Sequence, residues 1–251
     1  MAGHSHWANI SHKKALVDNK RGKLWSKLSK AVIVAAKLGG GDPDANPRLR
    51  LAVSDAKSAR MPKDTIERAI KKGTGELDGT NMEEIVYEGY GPSGVAVMCD
   101  ILTDNRNRTA PEIRKVFEVA GGSLGSTGCV AWMFDRKGLF IISAEGTDED
   151  SLMELALEAG ADDVRHEGDK FEVTCDPTAY TAVGDALEAA GINVEMKQIT
   201  NIPKSTVDLD AETARTVLKL METLDDHDDV QGVSANFNIP DETMAEIEAA
   251  G

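Results

Sequence analysis

Aromatic side chains make up only 4% of this 251-residue chain. A sheet that stacks successive bases on exposed rings needs more, and Phe171 alternates inward with Val173, so a single-strand stacking platform is not expected. Cysteine is scarce too: Cys99, Cys129 and Cys175 are odd in number, widely spaced and mostly set among apolar neighbours. That argues against a disulfide framework or a CxxC metal site and leaves buried free thiols. The longest apolar run, residues 31–36, is far short of the roughly 20 residues a membrane span needs. The first residues also lack a charged-then-apolar signal pattern, so a cytoplasmic protein without a membrane partner is expected. No nucleophile stands with a base and an orienting acid, which argues against an enzyme and against a small-molecule substrate or cofactor.

Positive charge is missing from most of the chain and concentrated in one part of it. The first 75 residues hold eleven Lys and five Arg against six acids, a net of +10, whereas the remainder carries 12 basic and 37 acidic residues, a net of −25. The formal −15 of the whole conceals both. A compact basic segment on an acidic body suits a protein that presents one face to a polyanion; the rival is that the two parts dock on each other.

With 41% hydrophobic residues, the chain can fill more than one core. Residues 22–38 place Leu24, Leu28, Ala31, Ala35 and Leu38 at helical spacing and stop at Gly39, Gly40 and Gly41. On that helix Lys23, Lys27, Lys30 and Lys37 form a stripe about 80° wide. A second helix is predicted from Pro47, with Leu49, Ala52, Val53 and Ala56 inward, and a third after Pro62, with Ile66, Ala69 and Ile70 inward. Strands follow over 85–88 and 95–103, then a helix capped by Thr109 and a strand over 130–134. From Gly138 the pattern reads strand, helix, strand, strand, helix, strand, a ferredoxin-like unit whose second helix starts after Asp176 and Pro177. A strand near Val207, a helix through Leu224 and a strand over 230–238 are too few for a core of their own. The expected fold class is therefore α+β: a helical domain over 1–76, a discontinuous α/β domain over 77–134 plus 204–251, and an inserted ferredoxin-like domain over 135–203.

Among candidate sites, GGSLGSTG over 121–128 follows a helix and precedes a strand, the reverse of a phosphate loop, so turn geometry and close packing are the better reading. His4, His6 and His12 surround Trp7 in what is either simply a short ordered arm or one that contacts nucleic acid by hydrogen bonding and stacking; a metal site there lacks nearby Cys and has only Asp18 as carboxylate. Lys13, Lys14, Lys20, Arg21, Lys23, Lys27 and Lys30 continue the charge and form the expected polyanion surface. Arg106 and Arg108 flank Asn107 ahead of a helix, where they either hold a phosphate or pair with acids. Asp225, Asp226, Asp228 and Asp229 surround His227 at a helix end, where their charge opposes the dipole; a solvated turn is expected rather than a cation or basic partner.

GHSHWANI (3–10), HKK (12–14), KRGKLWSKL (20–28), MPKDTIERAIKKG (61–73), YEGYGPSGVA (87–96), LTDNRNRT (102–109), GGSLGSTG (121–128) and FDRKG (134–138) together resemble the YebC/PmpR family over nearly the whole length. The resemblance implies a three-domain, non-enzymatic protein. Bacterial members are assigned as DNA-binding transcriptional regulators, others look like ribosome-associated translation factors, and a mitochondrial relative activates cytochrome c oxidase translation. It also implies nucleic-acid contact through His4, His6, Trp7, Lys13, Lys14, Lys20, Arg21, Lys23, Arg106, Asn107 and Arg108. Arg60 departs from the Asn often found before Met-Pro, and Gly232 and Ser234 replace an Asn and an aromatic residue. A lysine-rich face poor in Asn and Gln reads phosphate and shape rather than base edges, which suits a ribosomal RNA partner as well as DNA.

Overall fold

The computed structural model describes residues 21–78 and 81–249. Positions His4, His6, Trp7, Lys13, Lys14 and Lys20 lie outside the described residues. The rest form two compact units, 21–130 with 215–233 and 131–214 with 234–249.

The first unit opens with three helices, α1 (Arg21–Gly39), α2 (Pro47–Ser58) and α3 (Lys63–Thr74). Asn46 joins the first two: its side chain accepts from Leu49 N at 3.1 Å as the α2 N-cap, while its Nδ2 donates to Ala35 O and Gly40 O at 2.9 Å. One buried amide thus caps α2 and ties it to the last turn of α1 and the glycine that follows, so its truncation loses both. Val32, Ala35 and Ala36 pack with Leu49, Ala52, Val53, Ala56, Met61, Ile66 and Ala69 in the core between the helices. Val34 instead packs with Met82 and Leu102, so α1 is buried on two sides. That second packing partner is why Leu38, expected inward, is 64% exposed: the buried band is centred on 32–36.

The strand β1 (Glu83–Tyr90) pairs antiparallel with β2 (Ala96–Thr103), placing Tyr87 opposite Cys99. The helix α4 (Arg106–Val119) follows, earlier than expected. Its N-cap is Asn105, which accepts from Arg108 N, while Thr109 is buried one turn inside. A short strand β3 (Ser123–Leu124) lies beside β1. Residues 131–133 form a helical turn rather than the expected strand.

In the second unit β4 runs unbroken over Phe134–Ser143. It is followed by α5 (Glu149–Glu158), β5 (Ala161–Glu167), β6 (Lys170–Cys175), α6 (Tyr180–Ala189) and β7 (Val194–Pro203). The strand order β5-β6-β4-β7, antiparallel throughout, completes the ferredoxin-like topology. Asp176 accepts from Thr178 N at 2.9 Å and shapes the turn ahead of α6 rather than capping the helix itself. Phe140 stacks on Tyr180 with ring centroids 4.9 Å apart, and Phe140, Leu152, Val183 and Leu187 are fully buried.

The chain then adds β8 (Val207–Asp208), α7 (Ala211–Asp225), β9 (Val230–Ala235), β10 (Phe237–Asn238) and α8 (Asp241–Ala249). β9 completes the sheet of the first unit in the order β3-β1-β2-β9, and β8 pairs with β10 in parallel. Among the described residues no helix is long and apolar enough to cross a membrane.

Candidate nucleic-acid interface

Helix α1 presents Lys23, Lys27 and Lys30 at spacings of four and three, hence on one face. That face meets the end of α7. Lys23 Nζ donates to Asp226 O at 3.0 Å, Lys27 Nζ to Asp225 O at 2.5 Å, and Lys30 Nζ to Asp228 O at 2.8 Å. The last carbonyls of a helix have no partner within it and carry the negative end of its dipole, so Lys27 caps α7 at its last residue while Lys23 and Lys30 bind carbonyls of the turn that follows. Lys27 also lies 3.4 Å from the Asp225 carboxylate and Lys30 2.6 Å from that of Asp229.

Asp229 is the hub of this contact. Its carboxylate is almost fully buried. One oxygen accepts from Lys30, and the other accepts from Arg108 at 2.6 Å, Thr109 Oγ1 at 2.7 Å and Thr103 Oγ1 at 3.1 Å. Burial alone would raise its pKa, but the bonds from Lys30, Arg108 and Thr109 outweigh that and hold the group well below the usual carboxylate range. Leu102 N donates to Asp229 O at 2.9 Å, tying the hub to β2. His227 Nδ1 accepts from Asp229 N at 3.1 Å, so Nε2 carries the ring proton and donates to Glu112 at 2.9 Å.

These positions revise two expectations. The acidic turn at 225–229 is not a solvated turn: its charge is met by a basic partner, and the partner is α1 itself. The Lys23, Lys27 and Lys30 ammonium groups, expected to face a polyanion, are spent on that turn, because carbonyls and carboxylates at a helix terminus offer them the same chemistry as phosphate oxygens. Arg108 belongs to the same network, its pKa raised by the bond to Asp229 and the charge of that carboxylate. Arg106 and Asn107 are exposed at the start of α4. Lys37 turns away, donating to Asn81 Oδ1 at 2.5 Å and Met82 O at 3.1 Å.

Sequence reasoning did not single out Asp229, Thr103 or Thr109 as one cluster. The signal available was the misplacement of four aspartates at a helix C-terminus, which demands cations from elsewhere.

The glycine loop 121–128 is likewise satisfied from within. Buried Glu88 accepts from Gly128 N at 2.6 Å and Val130 N at 2.9 Å. A Cβ on Gly122 would fall 2.3 Å from Tyr90 O, so close packing of backbone on backbone requires glycine there. Among the described residues no group of three or more His, Cys, Asp or Glu is arranged to hold a metal ion.

Comparison with known proteins covers nearly the whole chain. Residues 5–76 match the family described as TACO1/YebC protein N-terminal domain, and residues 82–237 match TACO1/YebC second and third domain. A probable transcriptional regulatory protein of Rhodopirellula baltica is 59% identical over 247 residues, covering 98% of this chain and 100% of the relative. Another of that name from Desulfatibacillum aliphaticivorans is 56% identical, covering 98% of this chain and 100% of the relative. A third from Natranaerobius thermophilus is 58% identical, covering 97% and 99%. The crystal structure of a conserved hypothetical protein from Aquifex aeolicus superposes with a TM-score of 0.84 at 52% identity, covering 94% of this chain and 98% of that one.

Proposed function

The chain belongs to the TACO1/YebC family, and from that premise we propose that it is a cytoplasmic, DNA-binding regulator of transcription rather than an enzyme. The observation that carries this reading is the end-to-end kinship with relatives named probable transcriptional regulatory proteins. The +10 charge of the first 75 residues suits a polyanion partner, and the −25 of the remainder limits the approach of nucleic acid to that part.

In this reading the DNA contacts come from His4, His6, Trp7, Lys13, Lys14, Lys20 and Arg21, with Arg106 and Asn107 as an exposed second point. Lys23, Lys27, Lys30 and Arg108 act as anchors: the lysines hold α1 on the acidic turn, and Arg108 holds the same hub from α4. Side chains of this kind set phosphate affinity and orientation, with little sequence information of their own.

The test is to capture nucleic acid bound to the tagged full-length chain in cells, by parallel DNA and RNA crosslinking and sequencing. Discrete promoter peaks are expected. Recovery of ribosomal RNA without enriched DNA sites would overturn the reading in favour of a translation factor.

A further inference from the structure

With the α1 stripe engaged internally, Arg48 bonded to Glu84 and Arg50 to the carbonyls of Pro43 and Asp44, six further cations of the helical domain face solvent between the end of α2 and the end of α3. Lys57 ends α2, Arg60 stands in the four-residue turn, Lys63 opens α3, and Arg68, Lys71 and Lys72 continue along it; all six are exposed. At the helical pitch Arg68, Lys71 and Lys72 share an arc of about 100° opposite the buried Ile66 and Ala69. The two acids of this stretch, Asp64 and Glu67, sit in the first half of α3, where the dipole favours negative charge, and residues 68–75 contain no acid. Among the described residues the ion pair of this stretch is Lys63 with Glu67 at 3.6 Å, both so exposed that it contributes little; Asp64 and Glu67 stand one turn before Arg68 and Lys71 on the same helix surface.

Arg60 adds an independent observation. It adopts φ 57°, the left-handed region that Asn tolerates and Arg enters only at a cost. The turn is rigid around it: Arg60 N donates to Lys57 O, Met61 N to Ala56 O, and Trp25 Nε1 to Ala59 O at 3.0 Å, while Met61 is buried beneath. A strained, fully braced backbone therefore holds a guanidinium in solvent between two lysines. The backbone bonds from Arg60 N and Met61 N are the Schellman cap that ends α2, and the left-handed C′ position it requires is the one Arg60 fills.

We propose that the exposed arc of α3 carrying Arg68, Lys71 and Lys72, with Arg60 in the turn before that helix, is the docking surface for the phosphate backbone of duplex DNA. The proposal rests on the DNA-binding reading above and deepens it. From Arg68 to Lys72 the arc spans about 6 Å of helix, a length that faces about two phosphates of one strand at 3.4 Å of axial rise each. The face carries no Asn or Gln, so its contacts position the duplex and leave base reading to other residues.

The test measures binding of the full-length chain to a labelled duplex of about 30 base pairs by fluorescence anisotropy, between about 50 and 200 mM salt. The substitution set R68E/K71E/K72E should weaken binding at least tenfold and flatten the slope of log affinity against log salt by about 2 to 3. Arg60→Asn relieves the strain, so its melting temperature should equal or exceed wild type while the salt slope flattens by about 1. This second variant separates binding from misfolding. Wild-type binding with both variants unchanged overturns the assignment of this face and leaves the DNA-binding reading standing. A wild-type chain that binds no duplex overturns both. Tighter wild-type binding to a matched RNA duplex at every salt overturns DNA as the occupant.

Discussion

At Asp229 burial by itself favours the neutral acid, yet Lys30, Arg108 and Thr109 hold the carboxylate charged. Its folded pKa lies below its unfolded value, so its contribution to stability is present above about pH 4 and is lost as pH falls further. Replacing Asp229 by Asn leaves Lys30 and Arg108 facing an uncharged group, and urea unfolding at pH 7 should show a loss of roughly 3–5 kcal/mol. Glu172 has the opposite sign. Burial first, then the charges of Glu167 and Asp163, push its pKa up to about 7 against the pull of Arg165. Stability from its neutral form is complete below about pH 4 and is lost as pH rises through 7. Glu172→Gln should therefore stabilise the protein by up to about 3 kcal/mol at pH 8 and leave it unchanged at pH 4. Denaturation midpoints at the two pH values give the answer, and a gain of equal size at both would exclude burial of the charge as the cause.

Helix α3 shows why residue preference and packing must be weighed together. Gly73 lies inside it, where Ala normally gains about 1 kcal/mol. A Cβ there would stand 2.4 Å from Ile33 O and 2.7 Å from the Ala36 Cβ, backbone and side chain of a helix that is itself buried on two sides. Gly73→Ala should thus lower stability by roughly 1–3 kcal/mol, and a melting temperature at or above wild type would refute the close packing. Elements of this kind were well marked in the sequence. Pro47, the triple glycine at 39–41 and the period of Leu49, Ala52, Val53 and Ala56 are local signals, and the helices follow them. The reading failed where local and tertiary signals part. Asp135, Arg136 and Lys137 break the apolar pattern, so one strand was expected as two; pairing of Lys137 with Thr200 and Arg136 with Asn201 carries β4 through. The lysine stripe and the aspartate turn were each legible, but not as partners, because no local pattern encodes a contact 198 residues away.

Across the molecule the charge split has an internal use. The basic helix and the acidic turn are joined by Lys23, Lys27, Lys30 and the Asp229 hub, so the three-helix domain is coupled to the sheet built on β1, β2 and β9. In native-state hydrogen exchange the core amides of α1, α2 and α3 should open together with those of β1 and β2. Lys27→Ala combined with Lys30→Ala should release the helices, giving faster exchange over residues 32–69 while β2 stays protected. Equal protection of both in the variant would show that the apolar contact of Val34 with Met82 and Leu102 suffices.

The bond from Lys30 to Asp229 spans 199 positions, and synthesis runs in one direction. At about 5 to 20 residues per second, roughly 10 to 40 s separate the arrival of the lysine from that of its aspartate. For that interval the growing chain carries its most cationic helix without the turn that neutralises it. Until the last part of the sheet is made, Lys23, Lys27 and Lys30 lack the carbonyls and carboxylates that hold them in the finished protein.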